Sequence, residues 1–85
     1  MQILFKPRPE YTTAGRENNV QGTITLSVTF LANGKIGNVT PVNSLPYGLT
    51  EKAIEAARKI QFKPAKKNGV SITVTKNIIF TFTIY

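Results

Sequence analysis

The chain has 85 residues, a net charge of +7 and a pI near 10.1, with 41% hydrophobic and 18% charged residues. That length predicts one domain, and that composition is globular rather than disordered. The absence of Cys, His and Asp excludes disulfide staples, zinc sites built on Cys or His, and Ser-His-Asp or Cys-His catalysis.

Residues 1–8, with Pro7 among basic and apolar side chains, read as an extended lead-in. The opening Met-Gln-Ile-Leu-Phe-Lys is too short for the apolar core of a signal peptide. No stretch approaches the ~20 apolar residues of a membrane span. The chain is therefore expected to be cytoplasmic or a piece of a longer protein whose targeting signal lies upstream. Pro9, Glu10 and Tyr11 open a short, weak helix over about 9–18. Pro and Glu suit a helix start, and Asn18 and Asn19 suit its end. Thr12, Thr13 and Gly15 make its interior poor.

From Val20 to Leu31 the chain alternates. Gly22, Ile24, Leu26, Val28 and Phe30 fall on one face, with Thr23, Thr25, Ser27 and Thr29 on the other. Such alternation predicts a strand with one buried and one wet face. Asn33-Gly34 is a hairpin signal. A second strand follows over about 35–42, where Ile36, Val39 and Val42 are spaced by three. A bulge near Gly37-Asn38 would restore one face, and Pro41 assigns the strand to an edge.

After a loop broken by Pro46 and Gly48, Thr50 reads as an N-cap, with a staple between Leu49 and Ile54. The helix runs through Ile60. Ala53, Ile54, Ala56, Ala57 and Ile60 share one face, and Glu51, Lys52, Glu55, Arg58 and Lys59 the other. Glu51 and Glu55 are one turn apart but on the solvated face, so they do not read as a catalytic pair. Phe62-Lys63-Pro64-Ala65 ends the helix, and Lys66-Lys67-Asn68-Gly69 reads as a basic loop. Val70 to Tyr85 then alternates to the end. At ~3.3 Å per residue such a strand is roughly 50 Å long, against a radius of gyration of about 12 Å for a compact chain this size. It must bend, bulge or run past its partner, and Lys76-Asn77 is the expected break.

The predicted fold is α+β, in the order α-β-β-α-β. It has a three-stranded antiparallel sheet of order 2-1-3 and both helices on its apolar face. Ile24, Leu26, Val28, Phe30, Ile54, Ala57, Ile60, Phe80 and Phe82 are the expected core. The last strand is an edge, and an edge is a template for an incoming strand.

In this order the motifs resemble the TonB C-terminal domain family over nearly the whole chain. The residues that carry the resemblance are Pro9-Glu10-Tyr11, Val20-Gln21-Gly22, Asn33-Gly34-Lys35-Ile36 and Gly48-Leu49 before a helix with Ala53 and Ala57. Phe62-Lys63-Pro64-Ala65, Asn68-Gly69 and the long terminal strand complete the set. Two positions depart from the family pattern: Thr12 replaces the usual Pro after Tyr, and Asn33-Gly34 replaces Asp-Gly.

The resemblance implies a non-enzymatic periplasmic domain of an inner-membrane-anchored energy transducer, with no cofactor or metal. Its partner would be the N-terminal TonB box of an outer-membrane transporter. A proton-driven inner-membrane complex would act through upstream segments. A peptide of about five to seven residues is expected along Val70–Phe80. That edge comprises Val70, Ser71, Ile72, Thr73, Val74 and Thr75, then Lys76, Asn77, Ile78, Ile79 and Phe80, with Lys76 placed to meet a partner acid. Homodimerisation through the same edge is the competing use.

Two other readings stand beside it. The same fold can be an accessory domain of a TolA-like or sensor protein of the cell envelope. The charge of +7 raises nucleic-acid binding. Single-strand binders stack bases on exposed aromatics, and the open sheet face here offers threonine and serine, so no nucleic-acid partner is expected.

Overall fold

A computed structural model describes residues 1–84. The elements are β1 (Gln2–Phe5), α1 (Thr13–Glu17), β2 (Gly22–Phe30), β3 (Ile36–Pro41), α2 (Leu49–Arg58), β4 (Gln61–Lys63), β5 (Ala65–Lys67), β6 (Val70–Ile72) and β7 (Val74–Phe82). The main sheet has the order β3-β2-β7 and is antiparallel throughout, as the alternation and Pro41 predict. Two small two-stranded sheets, β1-β4 and β5-β6, flank it.

The core follows the even-numbered residues of β2. Ile24, Leu26, Val28 and Phe30 are buried, and so are Ile78, Phe80 and Phe82 of β7. Leu49, Ala53, Ala56 and Ala57 of α2 pack with them, together with Ile60 and Phe62. The Phe30 and Phe62 rings meet edge-on, with centroids 4.8 Å apart, a favoured aromatic geometry. Of the expected core only Ile54 is half-buried. Val42, expected beside Ile36 and Val39, is instead exposed, because it lies past the end of β3. The expected bulge is present: Val28 pairs with Val39 and Phe30 with Ile36, so Thr29 faces both Gly37 and Asn38.

The structure differs from the expected α-β-β-α-β in four places, two of order and two of helix bounds. First, the lead-in contains a strand: Gln2 pairs with Lys63 and Ile3 with Phe62. Its partner is some sixty residues away, so no local pattern announces it. Second, α1 spans only Thr13–Glu17, capped by the Thr12 hydroxyl, which accepts from Gly15 N at 3.0 Å. Pro9, Glu10 and Tyr11 stay outside it.

Third, Gly48, not Thr50, is the N-cap of α2. Gly48 has φ 76°, and Leu49, the first helical residue, is fully buried. The Thr50 hydroxyl turns back instead, accepting from Leu45 N at 2.9 Å and donating to Leu45 O at 3.0 Å. The helix also stops at Arg58, short of Ile60.

Fourth, the basic loop is a hairpin. Lys67 pairs with Val70 around Asn68-Gly69, whose φ values of 53° and 79° are those of a type I′ turn. The break in the last strand therefore falls at Thr73, where the Thr73 hydroxyl accepts from Ala32 N at 3.1 Å. Lys76 and Asn77 sit in unbroken register opposite Val28 and Ser27. The strand runs past its partner, and the molecule reaches 50 Å along its long axis with a radius of gyration of 14.1 Å.

Candidate functional site

The alternation of backbone groups along β2 fixes which side of β7 is open. Val42 N donates to Thr25 O at 2.8 Å, and Thr25 N donates to the Asn43 side-chain oxygen at 2.6 Å. Thr25 therefore faces the β3 side with both backbone groups. In an antiparallel ladder the N–H and C=O of one residue point the same way, and successive residues alternate. Ile24, Leu26, Val28 and Phe30 then face β7. Their register partners Phe80, Ile78, Lys76 and Val74 face back. Thr75, Asn77, Ile79 and Thr81 are left pointing outward. The Lys6 ammonium supplies an independent check, since it donates to the Ile79 carbonyl from outside the sheet.

This parity sorts the residues expected at the edge. Val70, Ser71 and Ile72 form β6 and already pair with β5. Thr73 is the joint between β6 and β7. Val74, Lys76, Ile78 and Phe80 direct their backbone groups to β2, and the side chains of Ile78 and Phe80 are buried. Thr75, Asn77 and Ile79 carry the outward donors and acceptors, and their side chains are exposed. On the other side of β2 the ladder is continued past β3 by a side chain. Asn43 bonds to both Thr25 N and Thr23 O, at 2.6 and 2.9 Å, extending the work of β3 past its last residue.

Beyond Ile79 the edge enters a region that the alternation pattern did not flag. Lys6 also sits 4.8 Å from the centre of the Phe80 ring. Farther along, Arg8, Pro9, Glu10, Tyr11 and Arg16 line a cleft of about 650 Å³ together with Thr81, Phe82 and Thr83. Tyr11 is held on two sides, its hydroxyl donating to Val20 O at 2.7 Å and its ring set edge-on to Phe82 at 5.3 Å. The Arg16 guanidinium lies 5.2 Å from the Tyr11 ring. The available signal was Lys6-Pro7-Arg8-Pro9: two prolines keep the segment extended and remove two donors, so it can run beside a strand without joining it.

Glu51 and Glu55 are both exposed on α2, and Glu55 lies 3.7 Å from Lys52. Among the described residues no group of three or more acidic side chains could hold a metal ion. No helix of the described residues is long and apolar enough to cross a membrane.

A small α+β domain with helices on one sheet face and a long terminal strand at one edge defines the class. The model of the Gram-negative bacterial TonB protein C-terminal matches residues 7–84, and the chain belongs to that family, which is a non-enzymatic energy-transducer family. Among solved structures, the solution NMR structure of the Pseudomonas aeruginosa TonB C-terminal domain matches with a TM-score of 0.76 and 20% identity. That match covers 98% of this chain and 85% of the other. The TonB2 protein of Vibrio anguillarum matches with a TM-score of 0.70 and 24% identity, covering 100% of this chain and 82% of the other. At these identities the likeness is one of fold. No curated protein matches.

Proposed function

We propose that this domain is the receptor-gripping end of a TonB-like energy transducer, located in the periplasm of a protein anchored in the inner membrane. It takes the N-terminal TonB box of an outer-membrane transporter as an added strand on the outer edge of β7. A proton-driven inner-membrane complex acts through segments upstream of the domain. The observation that carries the reading is the row of outward backbone groups on Thr75, Asn77 and Ile79, of which only the Ile79 carbonyl has a partner among the described residues, the Lys6 side chain, set on a strand whose inner side is paired with β2. Backbone pairing supplies affinity with little demand on side chains, which suits one coupler serving several transporters.

The test is titration with an extended peptide of about seven residues, followed by backbone amide shifts. The largest shifts are expected at Thr75, Asn77 and Ile79. Shifts concentrated on β3, or on Lys52, Arg58 and Lys59 of α2, would place the partner elsewhere. If a saturating peptide leaves the edge amides unmoved while a dimer persists, the edge serves self-association instead.

A further inference from the structure

We propose that the ribbon of residues 61–67, with its partner strands β1 and β6, is a docking face for an anionic phospholipid surface. The inference is independent of strand addition at β7.

Strand register assembles the face. Ala65 pairs with Ile72 and Lys67 with Val70, while Gln61 pairs with Phe5 and Lys63 with Gln2. Paired residues of an antiparallel ladder share a face, and so do alternate residues along one strand. Phe62 is buried in the core, so Gln61 and Lys63, both exposed, turn away from it. Only Pro64 separates β4 from β5, and the odd-numbered side chains stay on one face through Lys67. That face sets two lysines between two apolar side chains, Phe5 at 53% and Val70 at 64% exposure.

Charge segregates to the same stretch. All four glutamates lie at or before residue 55, whereas Arg58, Lys59, Lys63, Lys66 and Lys67 follow it. Glu10 and Glu55 are directed to Lys52 instead. The cations of this stretch therefore keep their field, which draws an anionic surface. The shape presents them. β5 and β6 pair only with each other. The run from Val70 to Phe82 covers about 40 Å at ~3.3 Å per residue, most of the 50 Å long axis. The turn at Asn68-Gly69 is thus one end of the molecule.

A lipid surface fits this face better than a protein does. Seven residues at ~3.3 Å and two strands ~10 Å wide give roughly 200 Å², against the ~800 Å² per partner that a stable protein interface buries. Lysine is a point charge without the fork that reads a single carboxylate. Separate exposed Phe and Val side chains suit shallow entry among headgroups, beside cations attracted to the surface.

The experiment is co-sedimentation with vesicles in about 0.1 M salt, where screening confines charge effects to about 10 Å. One set is phosphatidylcholine alone and the other carries about one-third phosphatidylglycerol. Binding is expected only to the second. Lys63→Gln with Lys67→Gln should weaken it about 10–30-fold, at about fivefold per cation near the surface. Arg8→Gln with Arg16→Gln lowers the net charge equally but at the other end of β7, beside Thr81 and Thr83, and should change binding by no more than about twofold. The chain has no cysteine, so Val70→Cys and Ser44→Cys each carry one environment-sensitive dye. Ser44 precedes Leu45, which packs by Gly22, the partner of Phe82 at the far end of β7. The dye at position 70 should shift to the blue on acidic vesicles, and the dye at position 44 should not.

No binding to the acidic vesicles overturns the proposal. Equal loss from the lysine and arginine pairs, or equal dye shifts at both ends, also overturns it, because net charge alone then suffices. Capture of soluble polyglutamate through Lys63 and Lys67, with vesicles ignored, replaces the lipid by an acidic protein. Each of these outcomes leaves strand addition at β7 standing.

Discussion

Thr12 joins the two helices through one hydroxyl. Its hydroxyl accepts from Gly15 N at 3.0 Å and donates to Tyr47 O at 2.6 Å. One oxygen thus caps α1 and ties it to the left-handed pair Tyr47 and Gly48, with φ values of 61° and 76°, that launches α2. Thr12→Ala should destabilise the domain by ~1–2 kcal/mol in urea unfolding, the usual cost of a lost N-cap and bond. A change below a few tenths would mean α1 docks without its cap. Phe30 is 1% exposed and touches Phe62. Phe30→Ala should cost ~3–5 kcal/mol, whereas Phe5→Ala, at a ring 53% exposed, should stay within ~1 kcal/mol. The alternation made Phe30 legible as core. Leu49 was not, because its burial depends on α2 beginning two residues earlier, at a glycine that carries no capping side chain. Thr50, with a hydroxyl and a following Glu51, presents the stronger local signal, but tertiary contact with Leu45 claims that hydroxyl.

Two Asn-Gly pairs take different turns, and their flanks decide which. At Asn68-Gly69 both residues are left-handed and the strands close around two residues. At Asn33-Gly34 only Gly34 is, with φ 87°, and Leu31 and Lys35 bracket a wider loop. There the Asn33 side chain accepts from Lys35 N at 3.0 Å, consistent with a type I turn closing through a glycine bulge. The sequence pattern found the first hairpin and overlooked the second, because lysines before Asn68 resemble a solvated loop. β1-β4 was beyond any local pattern, since its two halves meet only after the whole domain has closed. Strand identity, sheet order and the central core were legible; strand pairing at the periphery was not. Backbone parity along β7 makes a sharp expectation. Asn77→Pro should leave unfolding within ~1 kcal/mol of wild type, since its amide points outward, and should abolish peptide shifts. Lys76→Pro deletes a ladder bond to Val28 and should cost ~3 kcal/mol or more in the same unfolding measurement. Equal damage from both would mean the outward row is assigned one residue out of step.

At the scale of the molecule, the charge and the shape separate. Basic side chains crowd the stretch from Arg58 to Lys67, while the row on β7 between Thr75 and Ile79 has only Lys76 of its own. Glu51→Gln with Glu55→Gln should leave both unfolding and peptide affinity within error, because both carboxylates lie on the exposed face of α2; a loss of binding would move the partner surface onto that helix. The asymmetry of the two sheet edges sets a stoichiometry. On the β3 side Pro41 removes a donor from the outer edge and a bulge breaks its pleat, so the regular edge of β7 is the better seat for an added strand. A sheet with two equally regular edges could propagate into a fibre; here the two edges are unequal. A transporter strand and a twin domain would therefore be rivals for the same seat. Apparent peptide affinity should rise on dilution wherever the domain pairs with itself, and two captured strands should split one dimer.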